Sequence, residues 1–174
     1  MIGRKRSARR PAQAGLLLTP QGMNVHIGEI CTRSVVTCTR DISALELARL
    51  MRERHVGAVI VVDERDGKPT PVGLVTDRDL VVEVMAGAVD PEIVRVGDLI
   101  VAEPVTAVDT ELVFDAVWHM RSQGIRRLPV VDAQAHLVGI VTLDDVTRFL
   151  AEQLNAVTCI VPAQIGQEAV RRPS

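Results

Sequence analysis

Aromatic side chains are nearly missing: the 174-residue chain has no Tyr, one Trp and two Phe, 2% of the whole. That scarcity removes the stacking platforms on which single-stranded nucleic acid is held. A net charge of −2 supplies no basic field either, so nucleic acid is not an expected partner. Cysteine is sparse. Cys31, Cys38 and Cys159 form no CxxC pair and are odd in number, which suits small apolar fillers in a reducing, cytoplasmic setting rather than a disulfide framework. His26, His55, His119 and His136 are scattered without HxxxH or HExxH spacing, so no metal site is expected. No apolar run approaches the ~20 residues that span a bilayer, and no membrane helix is expected.

What is present describes a globular chain: 47% hydrophobic and 24% charged residues. The length suits one ordinary domain or two small units sharing a core. Residues 1–23 read as a basic, disordered tail carrying Arg4, Lys5, Arg6, Arg9 and Arg10. The Arg9-Arg10 pair raises a twin-arginine signal, but Ala14-Gly15-Leu16-Leu17-Leu18 is too short for a secretory apolar region. Met23, just ahead of the patterned sequence, is a candidate start.

The chain then repeats itself. Gly73-Leu74-Val75-Thr76-Asp77-Arg78-Asp79 returns as Gly139-Ile140-Val141-Thr142-Leu143-Asp144-Asp145. Upstream, Gly28, Thr37, Met51 and Asp63 have counterparts 69 positions later at Gly97, Thr106, Met120 and Asp132. The step shrinks to 66 between Asp79 and Asp145, so copy one holds three extra residues. They fall beside Asp66-Gly67-Lys68-Pro69, which is turn chemistry.

Each copy reads as a short extended entry, an amphipathic helix, two apolar strands and a second helix. Asp41-Ile42-Ser43 and Asp109-Thr110 are N-cap candidates for the first helices. Ala44, Leu47, Ala48 and Met51 set one apolar face, with Glu46, Arg49, Arg52 and Glu53 in water; Val113, Ala116, Val117 and Met120 repeat it. Val56 to Val62 and Leu128 to Val131 are strands without polar interruption, which implies burial on both faces. Asp63 and Asp132 are expected to end them, with return strands over Val72–Val75 and Leu137–Val141. Closing helices are expected over Asp77 to Met85 and Leu143 to about Leu154. The expected division is 24–86 and 95–154 for the two units, 87–94 for a turn-rich linker and 155–174 for an irregular tail. A unit this small buries little alone, so the two should pack as a pseudo-twofold pair.

Thr76-x-x-Asp79 and Thr142-x-x-Asp145 sit where a strand ends and a helix begins, and two readings compete there. In one, each is a capping box that needs no ligand: the Thr hydroxyl accepts a first-turn N–H and the Asp reaches back. In the other, the helix start favours a phosphate, and an outward Asp accepts from both hydroxyls of a ribose. An apolar slot nearby would take adenine. Duplication of the motif at the same place in both copies favours binding.

With these signatures, the Val35-Val36-Thr37 and Pro104-Val105-Thr106 entries and Arg127-Leu128-Pro129-Val130-Val131-Asp132, residues 24 to 152 strongly resemble the CBS domain family, named from cystathionine β-synthase. The resemblance implies an α/β chain of the α+β type: two βαββα units packed through their sheets. It implies clefts that in many members bind AMP, ADP, ATP or S-adenosylmethionine, and a regulatory rather than catalytic role. Matched by position, Asp79 and Asp145 would hold ribose hydroxyls, with Thr76 and Thr142 near the phosphate. Thr37 and Thr106 would line the adenine end. Gly57-Ala58 and Arg126-Arg127 would flank the clefts, and Arg78 would reach a phosphate. It also implies a homodimer joined through helices. No resident cofactor is expected, and magnesium would enter only on the nucleotide.

The copies differ. Arg78 and Gly57-Ala58 in copy one stand against Asp144 and Arg126-Arg127 in copy two, His55 against Gly124, and Arg40 against Asp109, so the clefts should not be equivalent. No Ser-His-Asp, Cys-His or paired-carboxylate constellation stands out, so no catalytic residue is assigned and an enzyme is not expected. The leading expectation is a stand-alone sensor of an adenine nucleotide acting on an unknown target protein. The alternatives are a structural or interaction pair whose motifs only cap helices, and a pair that binds S-adenosylmethionine or NADH.

Overall fold

The computed structural model describes residues 24–158 and 160. The basic tail, Met23, Cys159 and residues 161–174 lie outside the described residues. Two three-stranded sheets of identical order form the frame. In the first unit β1 (Thr37–Cys38) lies parallel to β2 (Ala58–Arg65), which pairs antiparallel with β3 (Lys68–Thr76). In the second, β4 (Ala107–Val108), β5 (Arg127–Val131) and β6 (Leu137–Thr142) repeat the arrangement. A parallel pair needs a crossover, and α2 (Ala44–Arg54) and α4 (Val113–Gln123) supply it. The units meet where β3 packs on β6. The result is the α+β pair of βαββα units expected from the repeat.

Packing explains the helical stripes. Leu47 and Met51 are buried in one core with Val59, Val61 and Val75, and Ala44 is buried as well; Val113, Ala116 and Met120 are buried in the other core with Leu128, Val130 and Val141. Glu46, Arg49, Arg52 and Glu53 are exposed, as expected. Ser43 caps α2: its Oγ accepts the Glu46 N–H while Glu46 reaches back to the Ser43 N–H at 2.7 Å. Those bonds hold the Glu46 carboxyl below its ordinary range.

Several expectations are corrected. Neither Asp109 nor Thr110 caps α4: Leu112 holds the N-cap position without a side-chain bond, and the Val113 N–H goes to the Val25 carbonyl. Asp63 does not end its strand. The three extra residues lengthen the hairpin, which turns at Asp66-Gly67, both left-handed (φ 54° and 72°), between the paired Arg65 and Lys68. Asp132 does lie past its strand, where its carboxylate accepts the N–H groups of Gln134 and His136; the His136 bond leads in lowering its pKa. The helix after the first motif does cover Asp77 to Met85 as expected, opening as α3 (Asp77–Asp79) and continuing in π-helical form over Leu80–Met85. The helix after the second, α5 (Leu143–Thr158), runs past Asn155 into the expected irregular tail.

The entries are not simply extended. Copy one begins with a helical turn, α1 (Ile27–Ile30), and copy two with a 3₁₀ turn, Val96–Leu99. Each packs on the opposite unit: Val25 and Ile27 join the second core, and Val96 joins the first. Gly28 donates to the Asp109 carbonyl at 2.9 Å and Gly97 to the Arg40 carbonyl at 2.9 Å. A Cβ on Gly28 would lie 2.9 Å from the Asp109 oxygen, which explains a glycine at this step of the repeat.

Candidate functional site

Both Thr-x-x-Asp motifs build the reciprocal capping box. In the first, the Asp79 N–H donates to Thr76 Oγ1 at 3.4 Å, and Asp79 Oδ2 accepts from the Thr76 N–H and hydroxyl, each at 2.7 Å. In the second, Asp145 Oδ2 accepts from the Thr142 N–H at 3.0 Å and hydroxyl at 2.6 Å. Capping uses one carboxylate oxygen and leaves the other, so it does not exclude a ligand. Asp79 Oδ1 makes no hydrogen bond or ion pair among the described residues.

Beside Asp79 lies a cavity of about 520 Å³ between the units. Unit one contributes Leu74, Thr76, Arg78 and Asp79; unit two contributes the Ala102–Val105 entry, Gly124 to Arg127 and Pro129. The cavity therefore joins the motif of one copy to the entry and strand start of the other. Leu74, Pro104, Val105, Ile125 and Pro129 give it apolar walls, while Arg78, Arg126 and Arg127 bring three guanidinium groups. None of the three is paired with a carboxylate among the described residues. Glu103 is the other acidic group on the wall besides Asp79.

Of the residues singled out in the sequence, Thr76, Arg78, Asp79, Arg126 and Arg127 share this cavity. Thr106 lines a separate cavity of about 220 Å³ with Arg40, Arg65 and Thr70. Thr37, Gly57, Ala58, Thr142 and Asp145 line neither. Thr37 belongs to β1 and Ala58 opens β2. Gly57 lies against the Asp77 carboxylate, 3.1 Å from where its Cβ would be, and its carbonyl accepts the Asp77 N–H. His55 and Gly124 share a backbone state, both being left-handed C-caps (φ 54° and 65°), and Gly124 also lines the cavity. The sequence reading missed Leu74, Glu103, Ile125 and Pro129. The 69-residue step carries a signal for Ile125, which stands just ahead of β5 as Val56 stands just ahead of β2.

Elsewhere, burial pushes the Cys38 thiol up to about 11 and raises that of Cys31, Arg33 opposing the latter. No group of three or more His, Cys, Asp or Glu side chains among the described residues is placed to hold a metal ion. No helix among them is long and apolar enough to cross a membrane.

A duplicated βαββα unit with a mixed apolar and cationic cleft between its copies defines a tandem pair. The model of the CBS domain matches residues 27–86 and 96–152, and the chain belongs to that family. An uncharacterized protein of Methanopyrus kandleri is 40% identical over 126 residues, 72% of this chain, and the chain spans 62% of that relative's length. A CBS domain protein of Pyrobaculum aerophilum, solved complexed with AMP, superposes with a TM-score of 0.66 at 25% identity, covering 77% of this chain and 99% of that one. A CBS domain pair solved with 5′-methylthioadenosine and S-adenosyl-L-methionine gives a TM-score of 0.62 at 25% identity, covering 72% and 99%.

Proposed function

We propose that this chain is a regulatory module that binds an adenine nucleotide, AMP, ADP or ATP, in the cleft between its units. One observation carries the reading: a single cavity gathers three arginines and a carboxylate oxygen, all without an ion-pair partner among the described residues, and an apolar wall. These match the phosphate, the ribose diol and the base of one nucleotide. The AMP complex of the Pyrobaculum aerophilum protein supports the assignment. Because the cavity wall comes from both units, a bound ligand bridges them and favours one relative packing. The equilibrium moves only by the ligand's differential affinity for the two arrangements. The chain acts on another protein through that change and carries no catalysis of its own.

A second reading is S-adenosylmethionine. The relative solved with that compound favours it, and Glu103 on the wall offers a partner for its positive charge. Calorimetric titration of AMP, ADP, ATP and S-adenosylmethionine decides between them. The nucleotide reading expects micromolar binding by a phosphorylated compound, weakened tenfold or more in Arg126→Gln/Arg127→Gln. Binding of S-adenosylmethionine alone, unchanged or strengthened in that variant, selects the second reading. No binding by any of the four to the folded chain returns the motifs to helix caps.

A further inference from the structure

The two motifs share one capping geometry and part at the next helical step. Three residues after Asp145 stands Arg148, whose guanidinium pairs with Asp145 Oδ1. Three residues after Asp79 stands Val82, which has nothing to donate. Both oxygens of Asp145 are therefore engaged, and the residue is 7% exposed. Asp79 is half-buried beside the cavity with one oxygen unengaged.

The sheet edges differ in the same sense. Next to the second motif, Thr32 and Ile140 exchange both backbone hydrogen bonds, at 2.8 and 2.9 Å, so the entry of copy one is stitched onto β6. Close approach is common to both edges, since a Cβ on Gly139 would lie 2.8 Å from the Thr32 carbonyl oxygen and one on Gly73 2.6 Å from the Ile100 side chain; the paired backbone bonds are what sets the second edge apart. Next to the first motif no such stitch forms. Leu74, the counterpart of Ile140, faces the cavity, and Val101, 69 positions after Thr32, is 95% exposed.

We infer that this chain takes one adenine ligand, in the cleft of Asp79, and that its counterpart place at Asp145 is closed by Arg148 and by the Thr32–Ile140 stitch. The inference rests on the ligand reading above and adds which half of the duplication serves it. The duplication has become a working site and a fixed strut.

Native mass spectrometry of the full chain at saturating AMP or ATP counts ligands per chain without any variant. One per chain is expected, with affinity at least tenfold weaker in Asp79→Asn, where the isosteric amide keeps the shape of the cap. Two ligands per chain would overturn the inference and leave the nucleotide reading standing. So would a single ligand that survives Asp79→Asn and is lost in Asp145→Asn. If no adenine compound binds the folded chain, the nucleotide reading falls and this inference with it.

Discussion

At the scale of single residues, context decides chemistry. Asp79 and Asp145 are the same side chain at the same step of a repeat, and a valine or an arginine one turn further on decides whether the second carboxylate oxygen has a partner among the described residues. Cys38 shows the same dependence. Its thiol is half-buried and carried up to about 11 by loss of water, so the thiolate is scarce at neutral pH. Relative to the ordinary value of 9.0, the thiolate fraction at pH 7.5 is lower by a factor on the order of 100. Alkylation of Cys38 by iodoacetamide in the folded protein is expected to be slower than in urea by that order, read site by site from peptide masses. Equal rates in the two conditions would remove the burial argument.

At the scale of elements, α2 illustrates how much of the fold was legible in sequence. Its apolar spacing, its Ser43 start and its exposed charges follow from the residues alone, because local hydrogen bonding and one-sided burial set them. Ser43→Ala should lower stability by about 1 kcal/mol at pH 7 in urea unfolding. Glu46, the reciprocal partner, has a folded pKa below its ordinary 4.5, so its share is fully present above that value. That share fades as pH falls through the lower folded value, and the Ser43→Ala deficit should narrow at pH 3. A deficit that widens in acid would refute the sign. What sequence reasoning could not reach was set by distant partners. α4 begins without a side-chain cap because a carbonyl from Val25 meets it, and the local string holds no trace of that contact. The same holds for the cleft. The Thr, Asp and Arg groups were visible as a motif, whereas Leu74, Ile125 and Pro129 matter only because two units bring their walls together. The π-helical stretch Leu80–Met85 is likewise unmarked in the residues, yet it leaves Gly87 so close to the Glu83 carbonyl that a Cβ would lie 2.4 Å away.

At the scale of the whole molecule, the apolar surface is uneven. Phe114 and Trp118 on α4 are 58% and 65% exposed, and Leu150 and Leu154 on α5 are 42% and 66% exposed. We expect a twofold dimer through these helices, the commonest closed assembly. Light scattering at micromolar concentration should give twice the chain mass of 18.9 kDa, and Trp118→Glu should return it toward one. A native chain that scatters as a monomer sinks the expectation. The exchanged entries bear on a different matter, the order in which the molecule can be made. Val25 and Ile27 leave the ribosome early, but their places lie among Val141, Val146 and Phe149, more than a hundred residues behind them. Unit one, for its part, lacks Val96 until the linker has been translated. Neither half can be finished as it emerges, so α1, the first helix among the described residues, is among the last to dock, and the nascent chain must keep two apolar residues waiting until α5 arrives.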